Sequence, residues 1–166
     1  MRPAEREEVR DLVRAAFLPY ADAFPHRLFD PYLTDLLELE AGGRPTTLVA
    51  VDDSHVVGTV RLYPAGGVDA VRLPGTWAWV RAAAVAPDRL RGGVASALVA
   101  ECERRAAAGG AEALCLHTAM FMTATHELAG RLGFHRTPEW DLDGGVHFGL
   151  PEGDLRIVAY AKELAA

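Results

Sequence analysis

A chain of 166 residues, half of them apolar and 24% charged, is long enough to bury one full core and has the composition of an ordinary globular protein. The formal net charge of −6 argues against nucleic-acid binding, which normally requires a basic face, and favours a cationic small partner through long-range steering. No apolar run approaches the length that spans a bilayer, and the N-terminus lacks a signal-peptide core, so no membrane partner is expected.

We expect a single domain over residues 1–166, because no repeat, low-complexity segment or linker interrupts the chain. The two cysteines, Cys102 and Cys115, are too few for a disulfide framework or a zinc site, and no metal site is predicted. As apolar packing residues they suit a reducing compartment, so we expect the protein to be cytoplasmic.

The first part of the chain predicts two helices joined by an aromatic segment. Apolar residues recur at helical spacing from Arg2 to Phe17, after which Pro19 forbids continuation. The proline-punctuated segment from Pro19 to Tyr32 is either a wall of a pocket or a loop that caps the core. A second helix is expected with Asp30 as its N-cap and Gly42-Gly43 as its end.

Three strands are predicted next. The β-branched and apolar runs Thr46–Val51 and His55–Leu62 flank Asp52-Asp53-Ser54, which is turn chemistry, so they form a hairpin. The stretch from Pro64 to Gly75 is rich in glycine and proline and indicates an exposed loop. Residues 76–85 are apolar on both faces, which is typical of a central strand.

The second half of the chain predicts a crossover unit. A helix begins near Gly92 and stops at Gly109-Gly110, and a buried strand follows from Ala113 to Thr118. A strand, crossover helix and strand of this kind must place the two strands parallel.

Three more elements complete the predicted fold. A short helix runs from Thr123 to Leu132, a strand starts at Phe134 toward Leu142, and a loop from Asp143 to Asp154 leads to a last strand at Leu155–Ala161. The expected fold class is therefore α/β, with one mixed sheet and helices on both faces.

The turn between the central strand and the following helix is the stretch that suggests chemistry. It contains Arg89 and Arg91 and then two adjacent glycines, Gly92 and Gly93. The first turn of a helix has free N–H donors and partial positive charge, so an anion binds there. Neither a nucleotide P-loop nor a dinucleotide fingerprint is present. The alternative is a tight connection with solvated arginines.

Three stretches, in order, resemble the GNAT superfamily of acetyl-CoA-dependent N-acetyltransferases. They are VRAAAVAPDRLRGGVASALV, which is similar to the central strand and pyrophosphate loop, MTATHELAGRLGFHRTPEWD, which is similar to the next helix and strand, and LRIVAYAKEL, which is similar to the last strand. The resemblance covers nearly the whole chain and implies a central sheet with two splayed parallel strands. The family's short first strand precedes "RPA", so here it is expected to be absent or truncated.

The resemblance also implies an acetyl-CoA site. The pyrophosphate would lie on the backbone amides from Arg91 to Ser96, and the pantetheine arm would pair with Ala83–Val85 where a bulge or proline separates the parallel strands. An N–H near Val85 would stabilise charge on the thioester carbonyl. The expected cofactor-binding residues are Ala83, Ala84, Val85, Arg89, Leu90, Arg91, Gly92, Gly93, Val94, Ala95, Ser96, Thr125 and Ala129.

Three positions depart from the family's pattern. Leu90 stands where the loop usually has Gln or Arg, although arginines flank it. Trp79 stands where many members have a glutamate base, and Ala129 stands where many have a tyrosine acid. The family's usual proton acceptor and donor are therefore missing.

Replacement catalytic residues are harder to assign. An alkyl amine with a pKa of about 10 is only about one part in a thousand neutral at pH 7, so a base near neutrality helps. Proximity alone can still support slow transfer. The candidates are His117, Asp141 and, in the late loop, His147. The alternative roles are a hydrogen-bonded packing residue for His117 and a strand-end cap for Asp141.

Three functions fit this sequence. The first is an N-acetyltransferase that transfers an acetyl group from acetyl-CoA to a primary amine of a small or cationic acceptor. The second is an acyl-CoA-binding module with weak or no catalysis, and the third is an acetyltransferase for a protein N-terminus or lysine. The acceptor and the oligomeric state stay open, a homodimer included.

Overall fold

The computed structural model describes residues 3–25, 27–40, 45–66, 73–147, 149 and 151–165. The helices are α1 (Pro3–Phe17), α2 (Phe29–Leu37), α3 (Val94–Ala108), α4 (Thr123–Arg131) and α5 (Gly144–His147). The strands are β1 (Thr46–Asp52), β2 (His55–Tyr63), β3 (Trp77–Val85), β4 (Ala113–Ala119), β5 (His135–Arg136), β6 (Leu142–Asp143) and β7 (Arg156–Glu163). None of the helices within these ranges is both long and apolar enough to cross a membrane.

The strands form one mixed sheet in the order β1-β2-β3-β4-β7-β5, with β6 paired to β7. The β3–β4 pair is parallel, and the other pairs are antiparallel. Helices α1 and α2 pack on one side of the sheet, and α3 and α4 pack on the other. We call these sides the α1/α2 face and the α3/α4 face. The predicted fold class, with helices on both faces and β3 central, is confirmed.

Side-chain alternation along the central strands supplies the core. On β4, Leu114 and Leu116 pack on the α3/α4 face against Leu98 and Cys102 of α3, and all four are buried. The intervening Cys115 packs on the opposite face with Trp79. Because successive strand residues point to opposite sides, a strand that is apolar throughout contributes side chains to the cores on both faces of the sheet.

Helix α2 differs from its prediction at both ends. It begins at Phe29, so Asp30 lies in the first turn and is not the N-cap, and Leu28 at the cap makes no side-chain bond. The helix ends at Leu37, before Gly42-Gly43, which lie outside the described residues. The capping residues that the sequence suggested therefore determine neither end of α2. Its C-terminus, which comes earlier in the chain than expected, is stabilised by a contact with β2.

The strand predicted from Phe134 to Leu142 is wrong in its length. It is reduced to the two-residue strands β5 and β6, separated by a 3-10 turn over Pro138–Trp140. Proline has no N–H for a sheet ladder and favours such a turn, so the strand is interrupted there. The loop predicted from Asp143 to Asp154 contains the single-turn helix α5.

The loop predicted from Pro64 to Gly75 lies partly outside the described residues, at positions 67–72. Its described end is not exposed throughout, because Leu73 is buried against Tyr63 and Trp79. This part of the connection therefore contributes to the core of the α1/α2 face.

A buried arginine on β2 joins α2 to the sheet. Arg61 is only 1% exposed, and its two terminal nitrogens donate to the carbonyl oxygens of Glu38 at 2.6 Å and Leu36 at 2.7 Å. Burial lowers the pKa of Arg61, and Tyr63 and Tyr32 oppose that change. Carbonyls at a helix C-terminus lack intrahelical partners and carry partial negative charge, so the guanidinium satisfies them.

Replacing Arg61 with methionine should lower the free energy of unfolding by about 3 kcal/mol, because the buried carbonyl of Leu36 and the part-buried carbonyl of Glu38 lose their donors. Urea denaturation followed by circular dichroism measures this loss. Arg104→Met is the matched control, since Arg104 forms an exposed pair with Glu101 and should change the unfolding midpoint little. Similar losses in the two variants would contradict a capping role for Arg61.

Candidate active site

A wedge-shaped gap opens between the two parallel strands. The β3–β4 ladder begins at Trp77–Ala113 and ends at Val80–Leu116. Beyond these pairs β3 stays with β2 as far as Val85, while β4 stays with β7 as far as Ala119. The facing edges of β3 and β4 therefore diverge toward their carboxyl ends, as predicted.

A β-bulge lies where the strands part. The β2–β3 register shifts between Thr59 and Arg61, so that β3 has one residue more than β2 in this interval. Within it Ala82 has a φ of +52°, which is uncommon for a residue with a side chain. A bulge bends its strand and increases the local twist, so it turns the end of β3 away from β4.

Backbone groups on the β3 edge face this gap. The N–H of Ala86 donates to the carbonyl of Val57 at 2.9 Å, so Ala86 faces β2. In an antiparallel pair every second residue points its backbone toward the same neighbour, which assigns Ala84 to β2 as well. The N–H and C=O groups of Ala83 and Val85 thus point to the side that β4 has left. An extended ligand can form hydrogen bonds there.

Helix α3 begins beside the gap with free donors. Gly93 precedes its first residue with a φ of +82°, and the first bond into the helix is from the N–H of Ala97 to the carbonyl of Gly93 at 2.9 Å. Within the described residues, the amides of Val94, Ala95 and Ser96 make no backbone hydrogen bond. Free N–H groups at a helix N-terminus suit an anion, and we call these three the anion-binding corner.

The amide of Gly92 does not belong to that corner. Its N–H donates to the carbonyl of Arg89 at 3.3 Å and so closes the turn. A Cβ at Gly92 would lie 3.1 Å from the same oxygen, whereas a Cβ at Gly93 would meet no atom within 4 Å. Gly92 therefore shapes the loop, and Gly93 leaves open the space in front of the helix.

The two loop arginines have different partners. Arg89 binds the carboxylate of Asp52 at 2.8 Å and lies 3.5 Å from that of Asp88, so its charge is already compensated. Arg91 is exposed, has a φ of +64°, and forms no ion pair within the described part of the chain. Leu90 between them is 63% exposed. Of the two guanidiniums, Arg91 is the one available to a phosphate.

A threonine on the β4 side of the gap has an unused hydroxyl. Thr118 is 3% exposed, and its hydroxyl oxygen has no hydrogen-bond partner in the described structure. It lies two residues beyond Leu116, the last residue paired with β3, and by alternation its side chain is on the α3/α4 face. An orphaned buried hydroxyl beside an open strand edge is suited to a polar ligand in the gap.

The two positions expected for the family's base and acid contain core side chains. Trp79 is 6% exposed and stacks on Tyr63, with ring centroids 3.9 Å apart and planes inclined by 12°. Ala129 is completely buried in the core between α4 and the sheet, where it packs with Leu116. Neither residue can donate or accept a catalytic proton.

His117 lies one residue beyond the end of the β3–β4 ladder. Its Nε2 is 2.9 Å from the carbonyl oxygen of Trp140, and its Nδ1 is 3.9 Å from the sulfur of Cys115. Since a carbonyl only accepts, Nε2 carries the proton, and the lone pair of the neutral ring is on Nδ1. These contacts orient the ring at the α1/α2 side of the gap. Its role as the base stays a prediction.

Asp141 is held by several donors. Its carboxylate accepts from Arg136 at 2.8 and 2.9 Å, from Arg156 at 3.2 Å and from the N–H of Ala159 at 2.8 Å. Burial alone would raise the pKa of Asp141, but these donors outweigh it and the pKa is lowered. A carboxylate with a lowered pKa is a weak base. Its geometry is that of an anchor between the β5–β6 segment and β7, and its catalytic role stays an untested prediction.

The aromatic segment after α1 packs into the core, and its other expected role, as the wall of a pocket, stays a prediction. Phe24 is buried, and its ring centroid lies 4.7 Å from that of Tyr32 and 4.9 Å from that of Phe121. The same cluster contacts Ala82 and Ala119 at the gap. The segment therefore caps the core and also borders the gap.

The third candidate for the catalytic base was His147. Its side chain lies outside the described residues.

Sequence reasoning missed two residues that contribute to this site. Gly58 of β2 lies against α3, since a Cβ there would be 2.5 Å from Val94 and 3.0 Å from Leu98. A glycine inside a β-branched strand is the signal for such a close approach. Thr118 was also detectable, as the polar member of an otherwise apolar alternation with Leu114 and Leu116.

Comparison with known proteins gives one family. The profile of the Acetyltransferase (GNAT) family matches residues 7–134. No curated protein matches the chain by sequence.

Solved structures match over nearly the whole chain. PaiA N-acetyltransferase from Thermoplasma acidophilum, in complex with coenzyme A, has a TM-score of 0.67 and 14% identity, with 96% of this chain and 94% of that one covered. Aminoglycoside 6'-acetyltransferase type Ii has a TM-score of 0.66 and 17% identity, with 99% and 93% covered. The ribosomal-protein-S18-alanine N-acetyltransferase from Escherichia coli has a TM-score of 0.64 and 16% identity, with 100% and 92% covered. At these identities the likeness shows the fold.

Replacing Gly58 with alanine should displace the first turn of α3, because the new methyl group would overlap Val94. We expect coenzyme A affinity to fall about tenfold and stability to fall by about 1–3 kcal/mol, as for other overpacked cores. Isothermal titration calorimetry and urea denaturation measure the two effects. Gly130→Ala is the control: it lies in α4 with no atom near its Cβ position, and it should bind normally. Unchanged affinity in Gly58→Ala would contradict the predicted coupling.

Replacing Thr118 with valine should weaken acetyl-CoA binding about fivefold without destabilising the protein, because the lost hydroxyl has no partner among the residues that the structure describes. Thr59→Val is the opposite case. The Thr59 hydroxyl donates to the carbonyl of Leu48 at 3.0 Å, so this variant should lose stability and keep its affinity. Binding is measured by calorimetry, and full affinity in Thr118→Val would exclude a contact between this hydroxyl and the ligand.

Proposed function

This chain belongs to the Acetyltransferase (GNAT) family, and we propose that it is an N-acetyltransferase that moves the acetyl group of acetyl-CoA to a primary amine of a small acceptor. The observation that carries the proposal is the divergence of β3 and β4 beyond Val80 and Leu116, next to the open first turn of α3. An anion-binding corner and a free strand edge side by side fit a long ligand with a phosphate head and an amide-containing arm.

Different residues of the chain would bind different parts of such a ligand. The amides of Val94, Ala95 and Ser96 would bind the pyrophosphate, with Arg91 adding charge. The backbone of Ala83 and Val85 would pair with the amides of the arm. The hydroxyl of Thr118 is buried and has no partner in the described part of the chain, so a ligand in the gap would supply its hydrogen bond.

The reaction needs few protein groups once both substrates are aligned. Acetyl-CoA supplies an activated acetyl thioester. The N–H of Val85 is the donor that would polarise its carbonyl. The amine must arrive neutral, and the proposed base for this step is His117, whose ring is oriented by Trp140. Alignment of the two reactants contributes the rest.

Two classes of acceptor are candidates, a small-molecule amine and an amine of a protein. Among the structures of the same fold, one is named as an aminoglycoside acetyltransferase and another as an acetyltransferase of a ribosomal protein. We propose a small amine for this chain. A protein N-terminus or lysine is the alternative, and a peptide array would reveal it.

A second function is favoured by one observation. The position of the missing glutamate is filled by the Trp79–Tyr63 stack, which provides no proton acceptor. A protein that binds acyl-CoA with little catalysis would show this feature too. Release of free thiol from acetyl-CoA across a panel of amines separates the two functions. Coenzyme A binding without thiol release above background would favour the binding module.

Replacing Gly93 with leucine should abolish most coenzyme A binding, because the side chain would project into the space in front of the helix. The change also introduces backbone strain of about 1–2 kcal/mol at positive φ. Gly110→Leu is a matched control, since Gly110 has a φ of +80° and open space too but lies beyond the other end of α3.

Both variants should lose similar stability in thermal denaturation. Only Gly93→Leu should lose coenzyme A affinity, by about tenfold or more on calorimetry. Equal affinities in the two variants would disprove the proposed binding of phosphate at the anion-binding corner.

A further inference from the structure

We propose that the chain has a second reactive site, in which the phenol of Tyr160 accepts an acyl group from small uncharged esters with His126 as its base. The site lies in a surface pocket of about 380 Å³, which the start of α4 forms together with β5 and β7. It is separate from the proposed acetyltransferase site, because β4 lies between β7 and the gap that opens toward β3.

The side chains of Tyr160 and His126 form a hydrogen-bonded pair in the wall of this pocket. The Nε2 atom of His126 lies 3.1 Å from the carbonyl oxygen of Ala119, and its Nδ1 atom lies 2.8 Å from the hydroxyl of Tyr160. Since a carbonyl only accepts, Nε2 carries the proton of the neutral ring, and the lone pair is on Nδ1. The hydroxyl of Tyr160 therefore donates to the atom that can take its proton.

This pair has the arrangement of an activated nucleophile. Tyr160 is within hydrogen-bond reach of a base, and the carbonyl of Ala119 orients that base in turn. The ring of Tyr160 is also fixed from the β5 side, where the guanidinium carbon of Arg136 lies 5.3 Å from the ring centroid. Arg136 is itself held by the carboxylate of Asp141 at 2.8 and 2.9 Å. The phenol is thus positioned toward its base before any ligand binds.

The size and charge of the pocket determine which acyl donor fits. Its volume is near the lower end of the range for small-molecule sites, which is about 300–1,000 Å³. Met120 and Val158 contribute apolar contacts, and Glu127 is an exposed carboxylate without an ion pair in the described ranges. Because Arg136 is already paired with Asp141, the charge of Glu127 disfavours an anionic donor. A small uncharged ester is the class that fits.

The other strong nucleophiles among the described side chains are less available. Burial raises the pKa of Tyr32 to about 12 and also raises the pKa of Tyr63, so neither phenol gives up its proton readily. Cys102 and Cys115 are completely buried. The single lysine of the chain, Lys162, is held in an ion pair at 2.8 Å. Acylation at the pocket should therefore stand out against a low background.

The reaction balances with the ester and water alone. The phenol oxygen of Tyr160 forms a bond to the carbonyl carbon of the ester, and its proton passes to Nδ1 of His126. The bond from that carbon to the leaving oxygen breaks, and the leaving group takes the proton from His126. The acyl group is then held on Tyr160 as an aryl ester. Water attacks this ester, His126 moves a proton from the water to the phenol oxygen, and a carboxylic acid is released.

The probe for this site is para-nitrophenyl acetate, with release of nitrophenolate by the full chain as the measure. Mass spectrometry after acid quenching should find one acetyl group, on the peptide that contains Tyr160. Tyr160→Phe keeps the ring and its contact with Arg136, and it should lower the rate about tenfold or more. Tyr20→Phe is the matched control and should keep the full rate. Tyr20 is also half-buried, but its hydroxyl has no hydrogen-bond partner among the described residues.

A second variant tests the base. His126→Gln keeps a side-chain N–H for the carbonyl of Ala119 and removes the proton acceptor, so acetylation should slow about tenfold or more while the fold persists. His55→Gln is the control, because His55 is exposed at the start of β2. Thermal denaturation measures the stability of each variant, and the peptide map of the unchanged chain tests the site without any variant.

Each outcome has a distinct meaning. Acetylation of Tyr160 that depends on His126 supports the inference. Preferential acetylation of Tyr20, Lys162 or the terminal amine would overturn it, as would a full rate in either Tyr160→Phe or His126→Gln. Saturating coenzyme A should leave the rate unchanged, and protection by coenzyme A would contradict a site outside the gap. Failure of ester cleavage would leave the proposed acetyltransferase function intact, since thiol release from acetyl-CoA is measured separately.

Discussion

The candidate site exists because β3 and β4 stop forming backbone hydrogen bonds with each other before either strand ends. Parallel strands normally satisfy each other's amides along their whole length. Here the ladder stops at Val80 and Leu116, and the extra residue near Ala82 turns β3 aside. The amides and carbonyls of Ala83 and Val85 then lack a strand partner and form an open strand edge. One added residue in a strand thus opens a gap in the middle of a core sheet.

The first turn of α3 complements that edge because the helix packs very closely on the sheet. Gly58 permits this approach, since any side chain there would overlap Val94. The left-handed backbone at Gly93 then lets the chain enter the helix with its first three amides exposed. The free amides of α3 and the open edge of β3 are consequently held side by side by the packing of α3 on the sheet.

Local pairing determines the electrostatics of the site more than net charge does. The net charge of −6 suggests a cationic partner. The carboxylates of Asp35, Asp52 and Asp141 are nevertheless each engaged by an arginine. Long-range steering affects the encounter rate, whereas binding depends on which charges are left without a partner inside the site.

Patterns within short stretches determined the fold class, the crossover of β3 and β4, and the glycine-rich loop, because periodicity and turn chemistry depend on neighbouring residues. The partner that each polar side chain binds depended on residues distant in the sequence. Arg89 is bound by Asp52, Asp141 by Arg156, and the end of α2 by Arg61, none of which lies nearby in the sequence. The tertiary structure alone decided which donors remain free, since a hydrogen bond depends on distances that no local pattern records.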